Sequence, residues 1–153
     1  MAKTYHQIFI QTVFAFKFRQ AMLNKPWRST VFAVMGNLIN ESGCKNLIVN
    51  GVEDHVHCFF SVPPSVTISE VMKVVKAKSS KYINDNGLTS TRFEWQRGFG
   101  AFSYSKSSIE NVYRYIERQE QHHMKASFKS EYLKFLRDFK ITYNDQDTFQ
   151  DPI

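Results

Sequence analysis

Segments of strand periodicity and of helix periodicity alternate along this chain in a fixed order, and that order restricts the fold more than any other feature. Tyr5 to Phe18 alternates polar with apolar residues, and its Phe, Val and Ile content favours a long strand. Lys17 and Arg19 then begin a polar turn. Pro26 suits the first turn of a helix, and Val31, Phe32, Met35, Leu38, Ile39 and Ser42 recur at helical spacing until Gly43 stops it. Two short β-rich runs follow, Asn46 to Val49 and His55 to Val62, with Gly51, Glu53 and Asp54 between them, the pattern of a hairpin. Pro63 and Pro64 end the second. Thr67 with Glu70 makes a capping box, Ile68, Val71, Met72, Val75, Ser79, Tyr82 and Ile83 mark one helical face, and Asn86-Gly87 closes it. Phe93 to Tyr104, aromatic and Gly-rich, reads as strand and loop, and Ser107 or Ser108 opens a helix to about His123. A last helix starts at Ser127, with Glu131 near its first turn and Phe128, Tyr132, Phe135, Leu136 and Phe139 on one face. The order β-α-β-β-α-β-α fits an α+β ferredoxin-like sandwich, a central antiparallel sheet with helices packed on it.

At 153 residues, 42% of them hydrophobic, the chain has material for one core, and we expect one domain over residues 1–143 followed by an acidic tail, 144–153. Lys and Arg number 20 against 14 Asp and Glu, and the resulting +6 favours a polyanionic partner such as nucleic acid. The longest uncharged stretch near the start, Thr4 to Phe16, falls short of the roughly 20 apolar residues of a membrane span. Neither a membrane span nor a signal peptide is expected. Cys44 and Cys58 match no C-x-x-C spacing and are too few for a disulfide framework, which fits a reducing cytoplasm.

Asp54-His55-Val56-His57 opens a strand, where alternation sends both imidazoles to one face and Val56, Cys58 and Phe60 to the other. Such a pair can chelate a metal, or it can be two polar residues facing solvent. Any third donor must come from elsewhere. In the helix Ile109 to Gln119, Ile109, Val112, Tyr113 and Ile116 form an apolar stripe, which makes Tyr113 the core tyrosine. Tyr115 and Gln119, at i and i+4, share a polar flank. They are either a surface pair or a hydroxyl and an amide oxygen aimed at one point.

Taken together, His-hydrophobic-His on a strand, the run Phe93-Glu94-Trp95-Gln96-Arg97-Gly98-Phe99-Gly100-Ala101-Phe102-Ser103, and a helix with Tyr115-x-x-x-Gln119 resemble the single-tyrosine HUH transposases of the insertion-sequence 200/605 family. The likeness also takes in the opening Gln-Ile-Phe-Ile-Gln-Thr-Val-Phe-Ala strand, Asn50-Gly-Val-Glu-Asp-His-Val-His, Lys76-Ala-Lys-Ser-Ser-Lys81, Gln119-Glu-Gln-His-His and Ser127-Phe-Lys-Ser-Glu-Tyr-Leu. The resemblance implies a DNA transposition enzyme that cuts and rejoins single strands. Residue by residue, it makes His55 and His57 metal ligands, Tyr115 the nucleophile and Gln119 the third ligand. It further implies Mg2+ or Mn2+, a 5′-phosphotyrosine link with a free 3′-hydroxyl, single-stranded DNA with a hairpin at the element ends, and a homodimer in a prokaryotic cytoplasm, associated with the nucleoid when DNA-bound. Neutral imidazole and amide ligands suit Mn2+ and tolerate Ni2+ or Co2+, so a purified sample could carry other divalent ions.

The chemistry is consistent with those roles. A phenol of ordinary pKa near 10 is a poor nucleophile at neutral pH, and a phosphodiester repels a phenolate. A divalent cation offsets that charge. Two other functions remain open to such a sequence: a host-domesticated or regulatory hairpin-binding protein without transposition activity, and a metal phosphoesterase using activated water. Lys73, Lys76, Lys78 and Lys81 lie off the apolar stripe of their helix, and Arg92, Arg97, Lys106, Arg114 and Arg118 flank the motif segments, which makes them either DNA-phosphate contacts or a solvated face. Phe93, Trp95, Phe99 and Phe102 are either buried or stacking platforms for bases. His122 and His123 read as surface or structural residues, His6 as a strand residue without a role, and Cys58 as core.

Overall fold

The computed structural model describes residues 2–17, 23–124 and 127–143. The expected acidic tail, 144–153, and the expected end of the first strand at Phe18 lie outside the described residues. Within them the order is β1 (Phe9–Ala15), α1 (Lys25–Glu41), β2 (Lys45–Gly51), β3 (His55–Ser61), α2 (Ile68–Asp85), β4 (Gly100–Tyr104), a 3-10 turn (Lys106–Ser108), α3 (Ile109–Glu117), α4 (Gln119–His123) and α5 (Phe128–Asp138). The four strands form one antiparallel sheet in the order β2-β3-β1-β4, the topology expected of a ferredoxin-like sandwich.

β3 is central because β1 and β2 pair with it on either side, Val13 opposite His57 and Asn50 opposite His57. The hairpin that delivers it closes tightly. A Cβ at Gly51 would sit 2.2 Å from the carbonyl oxygen of His55, so only glycine lets the two backbones approach there. β1 begins at Phe9 and not at Tyr5, since its pairing with both neighbours starts there, Phe9 opposite Ser61 and opposite Tyr104. Tyr5 and His6 are exposed.

Local signals set the helix ends. Pro26 occupies the first turn of α1, Thr67 accepts from the Glu70 amide at the start of α2, and Ser127 accepts from the Ser130 amide at the start of α5. α1 and α2 cover one face of the sheet. There Phe32, Met35, Ile39, Met72, Val75 and Ile83 pack with Ile10, Phe14, Val56, Cys58 and Phe60 in a continuous apolar core. Cys58 is fully covered and burial pushes its thiol up to about 12, as befits a core residue. Phe93, Trp95 and Phe102 are buried and Phe99 packs against the core, so all four serve packing. Among the described residues no helix is long and apolar enough to cross a membrane.

The single helix expected from Ser107 or Ser108 to His123 is instead three pieces, the 3-10 turn, α3 and α4, with the last break at Arg118. The buried face of α3 also differs from the expectation. Val112 and Ile116 are covered, but the third position of that face belongs to Tyr115, half-buried with its ring near those of His57 and Phe135, while Tyr113 is 38% exposed. Tyr113 is therefore not the core tyrosine. Both choices satisfy helical spacing; the polar centre of the sheet beneath the helix decides between them.

Candidate functional site

Alternation along β3 places His55, His57 and Phe59 on the face away from α1 and α2, where both imidazoles are completely buried. Two polar rings without solvent must find partners within the protein. The Nδ1 atoms find them in the sheet layer: His55 donates to Asp54 Oδ1 at 2.6 Å and His57 to Gln11 Oε1 at 2.7 Å. Gln11 in turn donates from Nε2 to the Tyr104 hydroxyl at 2.8 Å, which fixes its amide orientation. Both Nε2 atoms are thereby aimed at a common point under α4 and α5.

Glu131 of α5 occupies that point. Its Oε1 lies 3.2 Å from His55 Nε2, 3.0 Å from His57 Nε2 and 3.2 Å from His123 Nε2. Its Oε2 accepts from the Tyr115 hydroxyl and from Gln119 Nε2, the latter at 3.1 Å, and lies 3.3 Å from His122 Nε2. The Tyr115 hydroxyl is itself 3.3 Å from His122 Nε2, and Gln119 Oε1 is 3.3 Å from His55 Nε2. One carboxylate thus touches the tyrosine through one oxygen and three imidazoles through the other.

Protonation follows from the crowding. Burial would raise the Glu131 carboxyl, but the imidazoles packed around it, those of His123, His55 and His57, outweigh that and hold the group ionised well below the usual carboxylate range. Burial likewise opposes charge on His55, yet Asp54 and Glu131 raise it to about 9. His57 goes the other way: burial dominates the pull of Glu131 and lowers it to about 4. Burial and the adjacent Glu131 carboxylate both raise the Tyr115 phenol above its ordinary value.

The same arrangement tests the fit to a metal. A neutral imidazole has one N–H, but His57 meets an acceptor at each nitrogen, Gln11 Oε1 and Glu131 Oε1. With its proton on Nδ1, His57 turns a lone pair toward a carboxylate oxygen, an arrangement that a cation between them would relieve. The ligand atoms of His55, His57, His123 and Glu131 all lie within 4.8 Å of one another, close enough to share one ion. Asp54 and Gln11 accept from the far nitrogens of the two rings, as carboxylate and carbonyl oxygens do behind histidines that bind metals. The donor set fits a divalent cation.

Of the residues singled out from sequence, His55, His57, Tyr115 and Gln119 come together at this site, all from one chain. The basic residues do not. Lys73, Lys76 and Lys81 belong to α2, on the opposite layer of the sheet, and Arg92 lies alongside α2 with Lys81. Lys81 pairs with Asp85, and Lys76 donates to the carbonyl oxygens of Gln96 and Gly98 at 2.9 and 2.7 Å, so Lys76 holds a loop. Arg97 and Arg118 are exposed on the loop before β4 and at the α3–α4 break.

The sequence reading took His123 as a surface or structural residue and gave Glu131 no role in the site, yet both belong to the cluster. The signal for His123 was its place four residues after Gln119, which is itself four after Tyr115, a polar i, i+4, i+8 series. Glu131 sits among Phe128, Tyr132 and Phe135 on the packed side of α5, and a carboxylate within an apolar stripe needs a buried partner. His122, read as surface or structural, is one-third exposed and reaches Tyr115.

Comparison with known proteins adds a family. The profile of the family described as Transposase IS200 like matches residues 4–119. No curated protein matches. Among solved structures, a Deinococcus radiodurans R1 protein described as a transposase is similar at a TM-score of 0.61 with 16% identity, over 78% of this chain and 98% of that one. A REP-associated tyrosine transposase bound to a REP hairpin is similar at 0.58 with 13% identity, over 80% of this chain and 73% of that one.

Proposed function

The chain belongs to the IS200-like transposase family, and from that premise we propose that it cleaves and rejoins single-stranded DNA at insertion-element ends through a 5′-phosphotyrosine on Tyr115. The observation that carries this reading is the contact of Tyr115 with Glu131, whose other oxygen meets the imidazoles of His55, His57 and His123. A nucleophile and a cation-binding cluster therefore share one point.

In the proposed reaction the phenolic oxygen of Tyr115 bonds to phosphorus and the bond to the 3′ oxygen breaks. The leaving oxygen takes up a proton as a free 3′-hydroxyl, and the phenolic proton has an acceptor at hand in Glu131 Oε2. Reversal by a 3′-hydroxyl reseals the strand, because the phosphodiester energy is kept in the tyrosyl ester. His55 and His57, with Glu131 and either His123 or Gln119, would hold the ion. Bound there, Mg2+ or Mn2+ supplies positive charge against the phosphate oxygens. A nitrogen-rich set favours Mn2+ over Mg2+, whose preference is for oxygen ligands. Asp54 and Gln11 keep both rings turned inward, and Gln119 braces the Glu131 carboxylate.

The DNA partner we propose is a strand with a hairpin at the element end, which a protein of similar fold binds in the form of a REP hairpin. Arg97 and Arg118, both exposed, are our candidates for phosphate contacts, and a homodimer holding two ends, acting in the cytoplasm on nucleoid DNA, completes the proposal. Incubating the protein with single-stranded end DNA and Mn2+ tests it. A covalent adduct on a denaturing gel, lost in Tyr115→Phe, is expected. Free ends without an adduct would mean a hydrolase, and a mobility shift without cutting would mean a hairpin-binding protein.

A further inference from the structure

Beside Tyr115 a cavity of about 490 Å3 opens between α3, α5 and the sheet. Its volume lies in the range of pockets that enclose small ligands, roughly 300–1,000 Å3. Gln11 and Glu131 line it where it meets the histidine cluster, and Tyr104, Asn111, Lys134 and Phe135 form much of the remaining wall.

We propose that this cavity takes up one unpaired nucleobase of the DNA strand, that of a nucleotide flanking the phosphate attacked by Tyr115. The proposal rests on the reading that Tyr115 attacks single-stranded DNA, and it assigns the residues that read the cleavage point. Position is the first argument. Tyr115 and Glu131 belong both to the cavity wall and to the cluster, so a strand with its phosphorus at the Tyr115 hydroxyl has its neighbouring base within reach of the opening.

The wall chemistry is the second argument. Tyr104 and Phe135 offer flat faces on which any base can stack, and the Asn111 amide can both donate to and accept from a base edge. Lys134 and Arg137 are exposed at the rim, where they can meet a flanking phosphate; Asp138 pairs with Lys134 at 3.6 Å and keeps the rim from being wholly cationic. An aromatic slot with an amide and basic rim matches an unstacked nucleotide better than a purely apolar or purely charged ligand.

Abasic substitution tests this. The cleaved position is first mapped with the wild-type protein and end DNA, and abasic sites are then placed one at a time at the two nucleotides on each side. At one position the abasic strand should bind the full-length Tyr115→Phe protein about tenfold more weakly, the loss expected when one base–aromatic stack is removed. Asn111→Ala and Phe135→Leu, each made in the Tyr115→Phe protein and checked by thermal melting for an intact fold, should weaken the intact strand and remove the difference between the two strands. Equal affinity for every abasic strand, or a difference that survives both variants, would overturn the proposal while leaving the adduct and the transposase reading in place. If wild-type protein forms no adduct with any strand, that reading falls and takes the pocket assignment with it.

Discussion

On one face of the sheet Ile10, Phe14, Val56, Cys58 and Phe60 join α1 and α2 in a continuous apolar core; on the other, Gln11, His55 and His57 separate two small apolar clusters. The first of these clusters is Val13, Phe102 and Leu136 under α5, the second Phe59, Val112 and Ile116 under α3. Residues of β1 and β3 supply both faces by simple alternation, so the contrast arises from one-residue steps along the same strands. Burial on the α1–α2 face removes apolar surface from water, while on the other face it is spent partly on polar groups that satisfy one another. The continuous apolar core and the buried polar cluster accordingly lie on opposite sides of one sheet.

Paired substitutions give the strongest test of that division. Tyr115→Phe should abolish the covalent DNA adduct completely and leave the melting temperature within a few degrees of wild type, since the ring keeps its packing beside His57 and Phe135. Phe60→Ala, in the core face, should cost about 3–5 kcal/mol in urea unfolding through the cavity it leaves. Protein that stays folded should still form the adduct. If Tyr115→Phe unfolds the protein as severely as Phe60→Ala, the two faces are not separable.

A smaller effect concerns the metal. Any ion held by the native cluster and not by the unfolded chain stabilises the protein, by about 2.7 kcal/mol at a hundredfold excess over its dissociation constant. Titrating Mn2+ into chelator-treated protein should therefore raise the melting temperature, and His57→Ala should flatten that response. A Mn2+-dependent shift of equal size in His57→Ala would remove His57 from the ligand set. Phe60→Ala should retain the shift, however low its own melting point, because it leaves the histidine face untouched.

Much of this division is legible in the sequence, and the failures are instructive. The alternation His55-Val56-His57-Cys58 assigns the two faces of β3, and Thr67 and Ser127 mark helix starts that the structure keeps. These are local properties, decided by backbone geometry within a few residues. Tyr113 and Tyr115 could not be separated that way, because Val112 and Ile116 are compatible with either as a third member of the stripe, and the selection is made by groups of other elements, His57, Glu131 and Phe135. His123 and Glu131 reach the cluster from α4 and α5, across a helix break at Arg118 that the sequence does not announce. Their roles depend on where two short helices come to rest. Lys76 shows the opposite error, with the composition of a phosphate contact and the position of a loop tether.

Lys76 also supplies the smallest expected effect, on the apolar face. Burial lowers its ammonium to about 8, against an ordinary value near 10.4 in the unfolded chain. Below pH 8 both states carry the charge and the cost of burying it is fully present. Between pH 8 and about 10 the native state sheds its proton before the unfolded state does, so this residue should make the protein more stable as pH rises through that window. The gain should stay under about 1 kcal/mol, because the side chain is only partly covered and water screens it. Its hydrogen bonds to Gln96 and Gly98 do not need the charge, since a neutral amine still donates. Comparing urea unfolding of wild type and Lys76→Met at pH 7.5 and pH 9.5, as estimates of the window's two ends, isolates the effect as a difference of differences. A wild-type protein that loses stability relative to Lys76→Met over that interval would show that the ammonium gains more from the two carbonyls and the nearby Phe14 ring than burial costs it, and the core face would then have to be credited with a stabilising charge.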